Sequence, residues 1–437
     1  MTMPARRSET TPAHIVILVA GVAIAVAVRW LLLPTPGLPD DLGQFVLWVH
    51  GIATAGLTRA YDQNISFPPV MVYVWGVLAA IEPAFRTVTN SADPFIRILM
   101  KLPATLADFG LAAGVALALR SQPRWALAGF LGILLHPAVI YISAWWGQYE
   151  SIYVLGALVA WLLAVRNRPG LAAVALAIAV MTKPQAVPLL VPFAAWYVAR
   201  YGIARSVKFA AIGAVAIVLL WVPFLAAGGP LAYFHNLGQY QNGIFAIVSI
   251  RAWNPWWLFQ SAYGGGEFIA DTAAIAGPIT LRIVGFIVTA LLEGLVFVAV
   301  YRHPTPRSLA LGLAAASLVA FSALTTMHER YAFPALVFLA LWLPERRVRW
   351  TWIAFSVAFT ANLLAAIPPT DLVRQLLPVN GFLGIVGSVV LTLVTAVTLA
   401  LVIRPPERDE VVAGAEGGRS ARLASDDWVP HEAGSSG

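Results

Sequence analysis

The chain has 437 residues, 59% hydrophobic and only 11% charged, against about 25% charged in ordinary soluble domains. That balance excludes a water-soluble globular enzyme and describes an all-α, polytopic membrane protein whose apolar runs recur at lengths suited to a hydrocarbon core about 30 Å thick. The net charge of +7 sits in short loops between apolar runs, which argues against nucleic acid, and the absence of cysteine excludes disulfides and thiol chemistry.

The opening MTMPARRSET resembles the start of a signal peptide. The apolar run after it lacks a small-residue cleavage site, so it reads as a retained helix over 14–34. With Arg6 and Arg7 in the cytoplasm, the positive-inside rule places the later basic clusters there too: Arg120/Arg124, Arg166/Arg168, Arg200/Arg205/Lys208, Arg302/Arg307, Arg346/Arg347/Arg349 and Arg404/Arg408. An even number of crossings must then separate Arg7 from Arg120. The short, proline-flanked PPVMVYVWGVLAAIEP therefore lies in the interface, as does the amphipathic DLGQFVLWVHGIATAGL.

This bookkeeping predicts twelve spans with both termini inside, over 14–34, 96–119, 125–144, 150–165, 170–182, 185–200, 207–226, 278–302, 308–325, 331–344, 350–367 and 382–403. The integral domain is 1–404. The Gly-, Ser- and charge-rich tail 405–437 is expected to be a disordered cytoplasmic extension. Polar motifs gather on the outer side: a loop over 35–95 with two interfacial helices, WGQYE at 146–150, TKPQ at 182–185, a second large loop over 227–277, and MHERY at 327–331.

Each motif has a structural and a chemical reading. Asp40 and Asp41 start an amphipathic segment, where one can cap the helix and the other act as a general base. In WGQYE the tryptophans suit an interface, but Gln148 beside Glu150 is suited to gripping hydroxyls. Lys183, followed by a helix-breaking proline and by Gln185, lies on the side that the charge bias disfavours, so a phosphate contact is preferred to snorkelling. His328, Glu329 and Arg330 are costly at a membrane boundary unless paired or used. No second histidine follows at the zincin spacing, and the seven histidines lack ligand spacing, so no metal is expected. Asp108 and Glu293 fall inside spans, as functional carboxylates or as packing hydrogen bonds. Arg97 and Lys101 could neutralise such an acid or meet a lipid phosphate.

Taken in order, DLGQFVLW, FPPVMVYVW, KLPATLAD, WGQYE, TKPQ and MHERYAFP resemble the GT-C superfamily of integral-membrane, polyprenyl-phosphate-sugar-dependent glycosyltransferases. The resemblance is strongest to bacterial relatives of the GPI-anchor and N-glycan mannosyl- and glucosyltransferases and covers about 40–335. It implies juxtamembrane helices in the first outer loop and a catalytic aspartate at Asp41. Gln148 and Glu150 would lie near sugar and acceptor, with Asp40, Lys183, Gln185, His328, Glu329 and Arg330 in the substrate site. Glu150 stands where bacterial relatives commonly carry aspartate.

The implied activity is inverting transfer of a hexose, most often mannose, to a lipid, glycan or protein hydroxyl at the outer face of the cytoplasmic membrane. No cofactor beyond the lipid-linked donor is implied, and no nucleic acid. A lipid-linked oligosaccharide flippase, or a polysaccharide polymerase or ligase, is the alternative expectation.

Overall fold

The computed structural model describes residues 12–265 and 267–404; the expected disordered tail lies outside the described residues. The described chain is helical apart from strands of two or three residues. Its helices are, in order, α1 (Pro12–Leu32), α2 (Pro39–Ala55), α3 (Pro69–Ile81), α4 (Pro94–Ala118), α5 (Pro123–Leu134), α6 (Pro137–Ile140), α7 (Glu150–Val165), α8 (Pro169–Val180) and α9 (Leu190–Leu225). Then come α10 (Gly229–Gln239), α11 (Pro255–Tyr263), α12 (Leu281–Arg302), α13 (Pro306–Ala323), α14 (Phe333–Ala340), α15 (Arg346–Ala366), α16 (Asp371–Leu376) and α17 (Gly381–Ile403). Proline opens many of them, including α2, α3, α4, α5, α8, α11 and α13. At that position its missing N–H costs nothing and its fixed φ suits the first turn.

Seven helical stretches are long and apolar enough to cross a bilayer: Pro12–Leu32, Pro94–Ala118, Pro123–Trp146, Pro184–Leu225, Leu281–Arg302, Pro306–Ala323 and Gly381–Ile403. The chain is thus a multi-pass membrane protein, but the expectation of twelve spans is not met: among the described residues only these seven stretches have the length and apolarity of a span. Helices α7, α8 and α14 have only 16, 12 and 8 residues, fewer than the roughly 20 that a span needs. Helix α15 has 21 residues but opens on Arg346, Arg347 and Arg349 and lacks sustained apolarity.

The segments 185–200 and 207–226, expected as separate spans, are two helical arms that meet at a break at Gly202. There φ is +74°, a conformation open to glycine without steric cost. Tyr197 and Tyr201 before the break meet Phe209 after it, with ring centroids 5.5 and 5.3 Å apart, so the chain folds back at this point. Beyond it Val215, Val218, Leu219 and Val222 are exposed, as is most of α1. These are the faces that lipid would cover.

The basic turns collect at one end of the helices. Arg200 reaches Asn167 and the Pro304 carbonyl, Arg349 lies over Trp125 at 4.9 Å, and Arg307 grips Glu345 with two bonds of 2.7 Å. The opposite end carries α2 and α3. Both helices expected in the first long loop form, and they pack together through Phe45, Trp48, Phe67 and Trp75 with ring centroids 5.3–5.9 Å apart. Tyr149 from the WGQYE turn joins this cluster, 5.2 Å from Phe45, and donates to the Met100 carbonyl. Aromatic pairs add about 0.5–1.5 kcal/mol each beyond their burial, so the loop is anchored to the helices rather than merely attached.

Candidate functional site

The WGQYE turn owes its shape to an irregular helix end. After α6 the chain widens into a π-helical turn over Tyr141–Trp146 and stops at Gly147, whose φ is +91°. A Cβ at Gly147 would meet the Lys101 side chain at 3.0 Å and Leu42 at 3.2 Å, so it would press on both side chains, and the backbone angle itself favours glycine. The Gly147 and Gln148 amides both donate to the Ile142 carbonyl. This wide turn re-aims two side chains onto α2: Trp146 Nε1 donates to Asp41 Oδ2 at 3.0 Å, and Gln148 Nε2 to the same oxygen at 2.6 Å. Such π-helical turns recur where a side chain must be redirected.

Asp40 and Asp41 lie in the first turn of α2, where negative charge complements the helix dipole. Neither is the cap: Leu38 occupies that position without a side-chain bond. Asp40 points to solvent, whereas Asp41 is half-buried and lines a cavity of about 170 Å³. Both donors fall on Asp41 Oδ2, which leaves Oδ1 available to a ligand.

Two cations stand in the same cavity wall. Lys183, extended between α8 and a 3₁₀ turn begun by Pro184, donates Nζ to Glu150 Oε1. Arg330 approaches that oxygen at 3.2 Å through Nε, without hydrogen-bond alignment, and donates Nη1 to Glu329 Oε1 at 3.1 Å. The guanidinium lies over the Trp146 ring at 4.7 Å, and the Lys183 ammonium faces Phe67 and Tyr331 at 5.6 and 5.7 Å. All four ionic groups are buried, so breaking any one pair would strand an uncompensated charge.

Burial pushes the Lys183 ammonium below the usual lysine range while Glu150 holds it up, and burial pushes Glu329 upward against the pull of Arg330. His328 is held well below its usual range by burial, then by Arg330 and Lys183. Its Nδ1 lies 3.2 Å from Arg330 Nη1. A guanidinium can only donate, so Nδ1 accepts and the ring proton of the neutral tautomer sits on Nε2.

Residues 327–328 are held by a parallel pairing with the two-residue strand at 249–250, and Thr326 takes a φ of +60° to enter it. The second large loop also closes the cavity, through Tyr240, Gln241 and Phe245, with Gln241 Nε2 on Thr326 Oγ1 at 2.7 Å. No sequence signal singled out these three residues beyond the polar and aromatic richness of that loop. Trp146 was legible only as an interfacial anchor, but it is buried and bonded to Asp41.

The structure brings Asp41, Gln148, Lys183, Gln185, His328 and Arg330 to one cavity, with Glu150 and Glu329 behind the cations. It does not bring Arg97 or Lys101 there. Arg97 spends its donors on the Pro34, Ser91 and Ala92 carbonyls, and Lys101 donates to Thr35 at 2.7 Å, so both clamp the linker before α2.

Asp108 belongs to a separate, saturated network. Arg29 donates to Oδ2 at 2.9 Å, Ser143 to the same oxygen and Ser151 to Oδ1, each at 2.5 Å. Glu293 is buried on α12 with no partner on either oxygen among the described residues. No group of three or more potential metal ligands occurs among the described residues. No protein-family model matches the chain, and no curated protein matches it.

Proposed function

We propose that the protein is an inverting membrane glycosyltransferase that moves a hexose from a polyprenyl-phosphate donor to an acceptor hydroxyl. The observation that carries this reading is a carboxylate, oriented by two N–H donors, sharing one small cavity with a buried lysine–arginine pair. Asp41 Oδ1 takes the proton of the acceptor hydroxyl as its oxygen attacks the anomeric carbon. The bond from that carbon to phosphate breaks, and the leaving polyprenyl phosphate gains a negative charge that Lys183 and Arg330 offset. One base and fixed positive charge suffice because phosphate is already a good leaving group. A single displacement inverts the anomeric centre.

The residues present fit such a donor. Lys183 Nζ has two further protons beyond the one given to Glu150, and Arg330 Nε is buried without an aligned acceptor. Lys183→Ala and Arg330→Ala should each weaken donor use by about 1.5–3 kcal/mol, the range for a hydrogen bond to a charged group. Turnover against donor concentration checks this; unchanged constants in both variants would remove the phosphate assignment. The direct test of the activity is transfer of labelled hexose from a polyprenyl-phosphate sugar by the purified chain in lipid, with product anomers assigned by NMR. Absence of transfer together with absence of donor binding would refute the reading.

The cavity end faces the outer compartment in this proposal, and the basic turns face the cytoplasm. The naturally cysteine-free chain makes this measurable. Thr87→Cys, at the cavity end, should react with an impermeant maleimide in intact cells, and Ser121→Cys, among the basic turns, only after permeabilisation. The reverse pattern would invert the orientation.

A further inference from the structure

The charges around the cavity do not balance. Among the described residues, its walls and the layer behind them hold two cations, Lys183 and Arg330, and three carboxylates, Asp41, Glu150 and Glu329. His328 adds no charge, because its Nδ1 accepts from Arg330 and the ring is neutral. A polyprenyl-phosphate sugar brings one more negative charge, since a phosphodiester keeps its single acid group ionised. Lys183, Arg330, Glu150 and Glu329 are buried, and a buried carboxylate with too little compensation takes up a proton rather than stay charged.

The partners of the three carboxylates decide where that proton goes. Glu150 Oε1 meets both cations, with Lys183 Nζ bonded to it and Arg330 Nε at 3.2 Å. Asp41 is half-buried and receives two N–H donors on Oδ2, which favour its ionised form. Glu329 has one cation, Arg330, whose Nη1 lies 3.1 Å from Oε1. Its other ionisable neighbours supply no positive charge: His328 Nδ1 is 3.9 Å from Oε2, and Asp41 on α2, Tyr141 on the π-helical turn and Tyr331 are within electrostatic reach. A phosphate drawn to Arg330 divides the same guanidinium charge further and adds a negative neighbour. Both changes raise the proton affinity of Glu329, which burial already pushes above the usual carboxylate range.

Resting on the transferase reading, we infer that donor binding is coupled to the uptake of one proton by Glu329, which releases the charge of Arg330 to the donor phosphate. The proton comes from solvent, and no other bond is made or broken. Glu329 is thus a positioning residue that acts through Arg330, holding the guanidinium over Trp146 until the donor arrives. The linkage has a fixed sign. Glu329 holds its proton more tightly in the complex than in the free protein, so donor affinity is full below the free-protein pKa and falls about tenfold per pH unit up to the pKa in the complex. Above that it is constant again.

The test measures binding of a polyprenyl-phosphate hexose, without acceptor, by titration calorimetry of the full chain in lipid nanodiscs across a range of pH. Two buffers of different ionisation enthalpy give the protons taken up, about one per donor within the window where Kd changes. The donor is the right probe because the product, a phosphate monoester, itself titrates with a second pKa of about 6. Glu329→Gln is neutral at every pH and still accepts from Arg330 through its amide oxygen. It should bind donor without proton uptake, with a Kd that varies less than about twofold across the window and is at least about tenfold tighter than the parent's at the alkaline end. Proton uptake that survives in Glu329→Gln would overturn the inference, because His328 or Asp41 would then be the group that titrates. Donor binding by the parent with no proton uptake at any pH would overturn it without any variant. Failure of the parent to bind donor at every pH would overturn the transferase reading, and this inference with it.

Discussion

Asp41→Asn should lower turnover by roughly 10²–10⁴, the range that general acid–base catalysis contributes, while the protein folds and binds donor as before. The asparagine Oδ1 can occupy the place of the carboxylate oxygen that now accepts from Trp146 Nε1 and Gln148 Nε2, so both restraints on the turn survive and only basicity is lost. Asp40→Asn is the control. Asp40 is solvent-exposed in the same first turn and makes no cap, so its change should leave turnover near that of the parent. Measuring both variants with a polyprenyl-phosphate sugar decides the matter. Near-parental turnover in Asp41→Asn, or a loss confined to Asp40→Asn, would mean that another group takes the proton.

Many residues of the candidate site stand out in the sequence because polar residues are conspicuous against an apolar background. Asp41, Gln148, Lys183 and Arg330 each stand at the edge of an apolar run, and a charge there needs a partner or a use. Spacing along the chain could not say which partner. Lys183 and Glu150 are 33 residues apart and Arg29 and Asp108 are 79 apart, and nothing local announces either pair. Arg97 and Lys101 were legible as charges that could meet a lipid phosphate, but not as donors to main-chain carbonyls 63 to 69 residues away, at the end of α1 and in the linker after it. The count of spans diverged for a different reason. Charge parity treats each apolar run between basic loops as a crossing, whereas the folded chain uses helices of 8–16 residues among the long ones.

The Arg29–Asp108 network yields the second large effect, and it separates a structural carboxylate from the one proposed as the base. Asp108 is buried completely and accepts from Arg29, Ser143 and Ser151, so it ties α1, α4, the π-helical turn and α7 together beneath Trp146 and Gln148. Removing one member strands the other charge in a low-dielectric interior, at a cost of about 3–5 kcal/mol. Arg29→Met and Asp108→Leu should therefore each lower the thermal unfolding midpoint in detergent substantially. Combined, they remove both charges, and the double variant should recover most of the loss, since replacing a whole buried ion pair by apolar groups is often close to neutral. Turnover should follow the same pattern, failing where the π-helical turn loosens and returning in the double variant. If the double variant were as stable as the parent but still inactive, Asp108 would act on substrate through its charge, and the active site would extend from Asp41 past the WGQYE turn into the helix interior.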